Sequence, residues 1–230
     1  MSSFEDLSFS FADFSGRVRL FPLPNLVLFP HVIQPLRVFE PRYRRLLEDA
    51  LAGDHLMAMA VLAPGWEQDY EGRPALYPAA CLARVTTYHR LDDGAYNLLV
   101  LGLRRVRLAR ELEPERLYRE AEAELCEDLY PVEEAGSQGV LARRLRKALL
   151  RFLPSLPEAR EQMDQLLAND LRLGVLTDVV SYMLDADIAA KQRLLGEVNV
   201  YRRAEMLLAH LEAAQGGAQD PVFPPRFSVN

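Results

Sequence analysis

Most covalent, phosphate or metal chemistry in this 230-residue chain would have to rest on two lysines, two cysteines and four histidines. A phosphate-cradling loop needs a lysine placed after glycine and before serine or threonine. Lys147 stands in Arg146-Lys147-Ala148 and Lys191 in Ala190-Lys191-Gln192, so a P-loop nucleotide hydrolase is excluded. Both lysines fall in helix-patterned sequence with no strained serine turn nearby, which leaves a Ser-Lys peptidase without its dyad. Cys81 and His89 share parity on one predicted strand, yet eight residues of strand hold them about 26 Å apart. Cys81 reads as a small core residue and Cys126 as a strand residue, not as nucleophiles. His31, His55, His89 and His210 never pair at i,i+4 and form no His-Glu-x-x-His, so neither a zinc site nor any cofactor is expected. Asp92 and Asp93 precede Gly94 and read as turn residues rather than an acid/base pair. The expectation is a protein that is not an enzyme.

The aromatic residues carry a different kind of chemistry. Trp66 and Tyr70 lie in a polar loop, and Tyr43, Tyr88 and Tyr96 fall near it in the inferred strand order. Tryptophan and tyrosine suit binding surfaces because they combine a large contact area with a polar handle. Trp66, Tyr70, Tyr43, Arg42 and Tyr88 are therefore the candidate peptide-binding set, with Arg42 able to clamp a peptide carboxylate. The structural alternative is that the tyrosines fill the core and Trp66 anchors its loop, while Arg42, Arg44 and Arg45 are solvated.

Composition narrows the partners. The net charge of −6 disfavours a dedicated nucleic-acid binder. Residues 111–134 hold ten acids against Arg116 and Arg119, a local −8, whereas 137–153 hold five basic residues and no acid. Two solvated faces that partly neutralise each other account for this pattern, and an anion-binding helix face at 143–151 is the alternative. No apolar run is long enough to span a membrane, and the N-terminus has neither the basic nor the apolar region of a signal peptide. Two cysteines cannot build a disulfide framework, so a cytoplasmic protein is expected.

The first half reads as strands with one inserted helix. Stretches 17–29 and 32–39 are cut by Pro22, Pro24, Pro30 and Pro35, as edge or bulged strands are. Glu40-Pro41 opens a helix, with Tyr43, Leu46, Leu47, Ala50 and Leu51 on one face and Gly53 ending it. Residues 55–63 are apolar on both parities, as a strand covered on two sides would be. Residues 64–78 form a long surface loop. Strands at 81–90 and 95–101 flank an Asp-Gly hairpin turn, Gly102 bends the chain into a strand at 103–111, and one more strand occupies 117–127. The second half turns helical at 137–153, 157–168, 171–184 and 188–195, and Asn199 caps a last helix running to about residue 212. The resulting division is an arm at 1–16, a β unit at 17–128, a helical unit at 129–212 and an extended tail at 213–230.

Three blocks in order now carry a resemblance. FPLPNLVLFPHVIQPLRVFEPRYRRLLEDAL (21–51), CLARVTTYHRLDDGAYNLLVLGLRRVRL (81–108) and the helical 170–212, with Ala189, Lys191, Gln192 and Leu195, resemble the Lon protease N-terminal domain family. The resemblance spans residues 17–212 and implies an α+β fold, a PUA-like antiparallel β-barrel with an inserted helix followed by a helical bundle. It further implies a stand-alone substrate-recognition module, an adaptor or quality-control factor that binds unfolded or degron-bearing polypeptide and works beside a protease or chaperone. The alternative is an RNA-binding PUA-like protein that uses the basic face at 143–151. The sequence departs from the family around Ala79-Ala80-Cys81, in the 64–78 loop and at both ends.

Overall fold

The computed structural model describes residues 14–70, 72–152 and 171–215. The expected helix at 157–168, most of the N-terminal arm and the tail beyond 215 lie outside the described residues.

Six strands form one mixed sheet: β1 (Arg17–Leu23), β2 (Ile33–Val38), β3 (Leu56–Val61), β4 (Ala79–Arg90), β5 (Tyr96–Glu111) and β6 (Glu120–Cys126). Their order is β2-β5-β4-β3-β1-β6, and β6 also pairs with β5. The pairings therefore run in a closed cycle, β1–β3–β4–β5–β6 and back to β1, with β2 attached outside it. The sheet is not antiparallel throughout, as the sequence suggested, because β1 and β3 pair in parallel with Leu20 opposite Ala58. The cause is the crossover: the chain leaves β1, adds β2 to the far side of the sheet and returns through helix α1 (Pro41–Leu51). A connection of that kind brings the next strand in pointing the same way.

Helix α1 has Pro41 in its first turn, where a missing N–H costs nothing, and buries Tyr43, Leu46, Leu47 and Ala50. β3 is buried at all six positions, as its unbroken apolar run requires. The β4–β5 hairpin turns at Asp92–Gly94, where Gly94 has φ +79° and Asp93 Oδ1 accepts the Ala95 N–H at 2.9 Å.

Gly102 does not bend the chain into a new strand. β5 is one continuous strand through it, shifts register against β4 beside it, and changes partner there, from β2 at 96–101 to β6 at 105–111. Glycine is needed for a close approach instead: a Cβ at 102 would stand 2.1 Å from the Phe29 carbonyl oxygen. Gly102 donates to Val32 O at 2.9 Å and accepts from His31 N at 2.8 Å, which straps the 29–32 loop to β5.

Helices α2 (Gln138–Phe152), α3 (Leu173–Met183), α4 (Ile188–Gly196) and α5 (Val200–Gln215) complete the described chain. Asn199 caps α5 as expected, its Oδ1 accepting from the N–H groups of Tyr201 and Arg202 at 2.9 and 3.2 Å. Buried side chains fall into two clusters. The smaller one lines one face of the cyclic strands and is rich in alanine: Ala58, Ala60, Ala80, Ala121 and Ala123 pack with Val18, Leu20 and Leu82. The larger one crosses from the strands and α1 into the helices, from Phe21, Leu46 and Met59 to Leu145, Leu176 and Leu207. Buried contact is thus continuous from one half of the chain to the other.

Candidate functional site: a pocket beside an arginine–aromatic stack

The sequence signals that open α1 also build one wall of a surface pocket. Tyr43 enters the core on the first turn, stacks 4.4 Å from the Phe21 ring and donates its hydroxyl to Pro22 O at 3.2 Å. Burial pushes the Tyr43 phenol well above its ordinary value. Arg42, one residue earlier, lies over both the Tyr43 and the Tyr70 rings, 5.0 Å from each centroid. Tyr70 meets Trp66 edge-on at 5.6 Å, in the single 3₁₀ turn that interrupts the 64–78 loop. Glu40 ties the assembly together, accepting from Arg42 Nε at 2.9 Å and from the Tyr70 hydroxyl at 3.0 Å. Four of the five candidate residues, Arg42, Tyr43, Trp66 and Tyr70, are therefore brought into one continuous stack. Arg42 is already neutralised by Glu40, so it serves the stack rather than standing open for a carboxylate. Tyr88 is elsewhere, exposed on the distal half of β4 opposite Leu98.

Beside the stack is a pocket of about 310 Å³, walled by Arg42, Tyr43, Arg73, Leu112, Leu117 and Tyr118. Its far wall is the β5–β6 connection, which Pro114 keeps out of the ladder while Leu112 N–H donates to Glu120 O and Leu20 N–H to Arg119 O, both at 2.8 Å. Leu117 stands at the rim, 71% exposed. Tyr118 donates to Asp49 Oδ2 at 2.7 Å, and burial together with that hydrogen bond pushes its phenol up to about 12. Beneath the rim, Glu111 is gripped by Arg119 through two hydrogen bonds, at 2.8 and 2.6 Å, and by Arg73. Burial pushes the Glu111 carboxyl up, but the two guanidiniums outweigh it and hold it below the usual carboxylate range. The pocket thus combines apolar walls with guanidiniums that are each paired with a carboxylate, a surface suited to a side chain rather than to a free ion.

The residues considered for covalent chemistry are dispersed. Cys81 is fully buried and its thiol is pushed far up by that burial. Lys191 is lowered by burial and donates to Tyr182 O at 3.0 Å, the penultimate carbonyl of α3. Among the described residues no group of three or more His, Cys, Asp or Glu side chains converges on a metal-sized site. Sequence reasoning also missed two features. One is a buried charge network: Arg105 on β5 grips Asp178 on α3, and Arg203 on α5 holds Asp128 with bonds of 3.0 and 2.8 Å. Arg105 also donates to Leu195 O at 3.0 Å and Arg203 to Thr177 Oγ1 at 2.8 Å, so strand β5, the connector from β6 to α2 (residues 127–137) and three helices are joined at one point. The signal was available in the polar Thr177, Asp178 and Ser181 set inside an otherwise apolar helix. The other is the exposed apolar row formed where Ile33 and Pro35 on β2 face Leu101 and Leu99 on β5.

Comparison with known proteins gives one consistent answer. Residues 17–213 match the family model of the ATP-dependent protease La (LON) substrate-binding domain. Lon protease 2 of Myxococcus xanthus is 28% identical over 82% of this chain, and Lon protease 1 of Bdellovibrio bacteriovorus is 29% identical over 86%. The matched regions are 22% and 25% of those two proteins, so the chain spans about a quarter of the curated relatives it resembles. A Lon N-terminal domain protein from Xanthomonas campestris superposes with a TM-score of 0.60 at 25% identity, covering 84% of this chain and 97% of that one. The N-terminal domain of Mycobacterium avium complex Lon protease superposes at 0.65 with 18% identity, covering 85% and 98%, a likeness of fold. No helix among the described residues is long and apolar enough to cross a membrane. The chain belongs to the LON substrate-binding domain family.

Proposed function

We propose that this protein is a non-catalytic polypeptide-recognition module, an adaptor or quality-control factor of the cytoplasm that binds unfolded or degron-bearing chains on behalf of a protease or chaperone. Family membership supports the class of partner. The observation that carries the site is the pocket beside the Trp66–Tyr70–Arg42–Tyr43 stack, with Leu117 exposed at its rim. A rigid stack loses little entropy on binding, and an apolar rim gains by covering a client side chain. In this reading the closed cycle of strand pairings is a PUA-like barrel, residues 17–128 and 129–212 are its two structural units, and Tyr88 adds a second, separate contact.

Fluorescence anisotropy of a labelled, permanently unfolded polypeptide tests this. The wild-type chain binds it, and Leu117→Asp, at an exposed position that leaves the fold intact, weakens binding by roughly 5- to 30-fold, as expected for a contact of 1–2 kcal/mol. Equal affinity in the variant places binding elsewhere, and a wild-type chain that binds no unfolded polypeptide overturns the function.

A further inference from the structure

The nine large hydrophobic residues exposed among the described residues are not evenly spread. Four of them, Leu129, Tyr130, Val132 and Val140, fall on the connector and the first turn of α2. Val132 is 86% exposed, Leu129 53% and Val140 49%. This exposure is fixed by the backbone. Leu129 N–H donates to Val198 O at 2.9 Å and its carbonyl accepts from Val200 N at 3.1 Å. Tyr130 stands edge-on to Tyr201 at 6.1 Å while its hydroxyl accepts from Gly174 N at 3.2 Å. The connector is therefore held in place, with Tyr130 turned onto its neighbours and Leu129 and Val132 left exposed.

The charges around this patch are ordered. Glu127, Glu133 and Glu134 lie on the connector side, and Arg143, Arg144 and Lys147 on the exposed face of α2 one to two turns beyond Val140. Glu134 accepts from Asn199 Nδ2 at 3.2 Å, and Arg144 pairs with Glu212 at 2.6 Å. Glu133, Arg143 and Lys147 are exposed and take part in no ion pair among the described residues. A segment that is acidic among its apolar residues and basic one to two helical turns beyond them is mismatched, at one end or the other, to a surface of a single sign. It matches itself under a two-fold rotation, which sets each acidic end against the other copy's basic end.

We propose that the connector and the first turns of α2 form a two-fold interface between copies of this chain, with Leu129, Val132 and Val140 at its centre and Glu133 of one copy facing Arg143 and Lys147 of the other. The pocket plays no part in this interface, so it stands or falls separately from the proposed function.

Sedimentation velocity on the full chain, from about 1 to about 100 µM, reads the association directly. The wild type shifts from monomer to dimer across this range. Val132→Asp, at an exposed position, raises the dissociation constant at least about tenfold, as burying an unpaired charge at an interface centre requires. Glu133→Arg alone and Arg143→Glu with Lys147→Glu each weaken the dimer, and the three changes combined in one chain restore it. A monomer throughout the range, a dimer indifferent to Val132→Asp, or a triple variant weaker than both charge reversals overturns the proposal. So does a monomer that binds a polyanion through Arg143 and Lys147.

Discussion

The two halves of β5 share one strand and meet opposite fates. From Tyr96 to Leu101 it pairs with β2, and past the polar Asn97–Arg37 pair the outward row is apolar: Leu99 and Leu101 stand opposite Pro35 and Ile33. From Arg105 to Glu111 it pairs with β6, and the outward side chains are charged, with Arg107 bonded to Glu124 and Arg110 to Glu122 at 2.6 Å. Cross-strand Arg–Glu pairs in water add little stability. They do keep a face solvated and discourage other strands from joining it. In the other half such a pair, Arg37 with Asp93, stands only near the turn, and the row beyond it is exposed at Ile33 and Leu99. One half of the strand is finished by its own neighbour, whereas the other leaves apolar surface uncovered.

The largest effect should come at the boundary between these halves. Arg105 and Asp178 are buried and bonded to each other, so Arg105→Ala leaves the buried carboxylate with only longer contacts, Arg203 Nε at 3.7 Å among them, and should cost about 3–5 kcal/mol in urea unfolding. Replacing both with apolar residues should recover much of that loss, and a double variant as unstable as Arg105→Ala would mean the pair is not the unit. Next is Gly102→Ala, where the new Cβ meets the Phe29 carbonyl and should cost about 1–3 kcal/mol. An unchanged midpoint would mean the 29–32 strap yields freely.

Smaller changes sharpen the contrast. Leu99→Asp should leave stability within about 0.5 kcal/mol, as exposed sites do. It should weaken polypeptide binding by a few fold if the uncovered row meets clients alongside the pocket. Unchanged affinity would confine binding to the Leu117 side. Glu111, held below the usual carboxylate range, contributes stability above about pH 4 that is lost as pH falls through its lowered folded value. Glu111→Gln should flatten that acid limb, and an identical acid limb would exclude Glu111 as its source. Smallest of all, Arg110→Ala or Glu122→Gln should shift stability by no more than about 1 kcal/mol and leave binding unchanged.

Much of this was legible in the sequence because local chemistry and tertiary structure agreed. Pro41 opened α1, Asn199 capped α5, Asp-Gly turned the hairpin, and the unbroken apolar run of β3 announced burial on both sides. The stack was half legible: residue types picked out Arg42, Tyr43, Trp66 and Tyr70, but Glu40, which joins them, looked like a mere helix start. What was lost depends on contacts distant in sequence. No periodicity records that β1 meets β3 in parallel, that Gly102 faces the Phe29 carbonyl, or that Arg105 finds Asp178 73 residues later. Alternation says which side of a strand a residue occupies, not what lies there, so nothing marked Arg105 as buried or set Tyr88 apart from the stack.

The position of β1 has a consequence for how the chain is made. β1 hydrogen-bonds to β3 on one side and β6 on the other, and Arg17 meets Glu120 across 103 residues of sequence. As the polypeptide emerges from the ribosome, β1 must wait for β6 before its second edge is covered. Loop closure over that distance is slow to nucleate, and an unpaired apolar edge is open to misassembly in the interval. A nascent-chain series stalled before and after residues 120–126 should show protease resistance of β1 arriving only with the longer members.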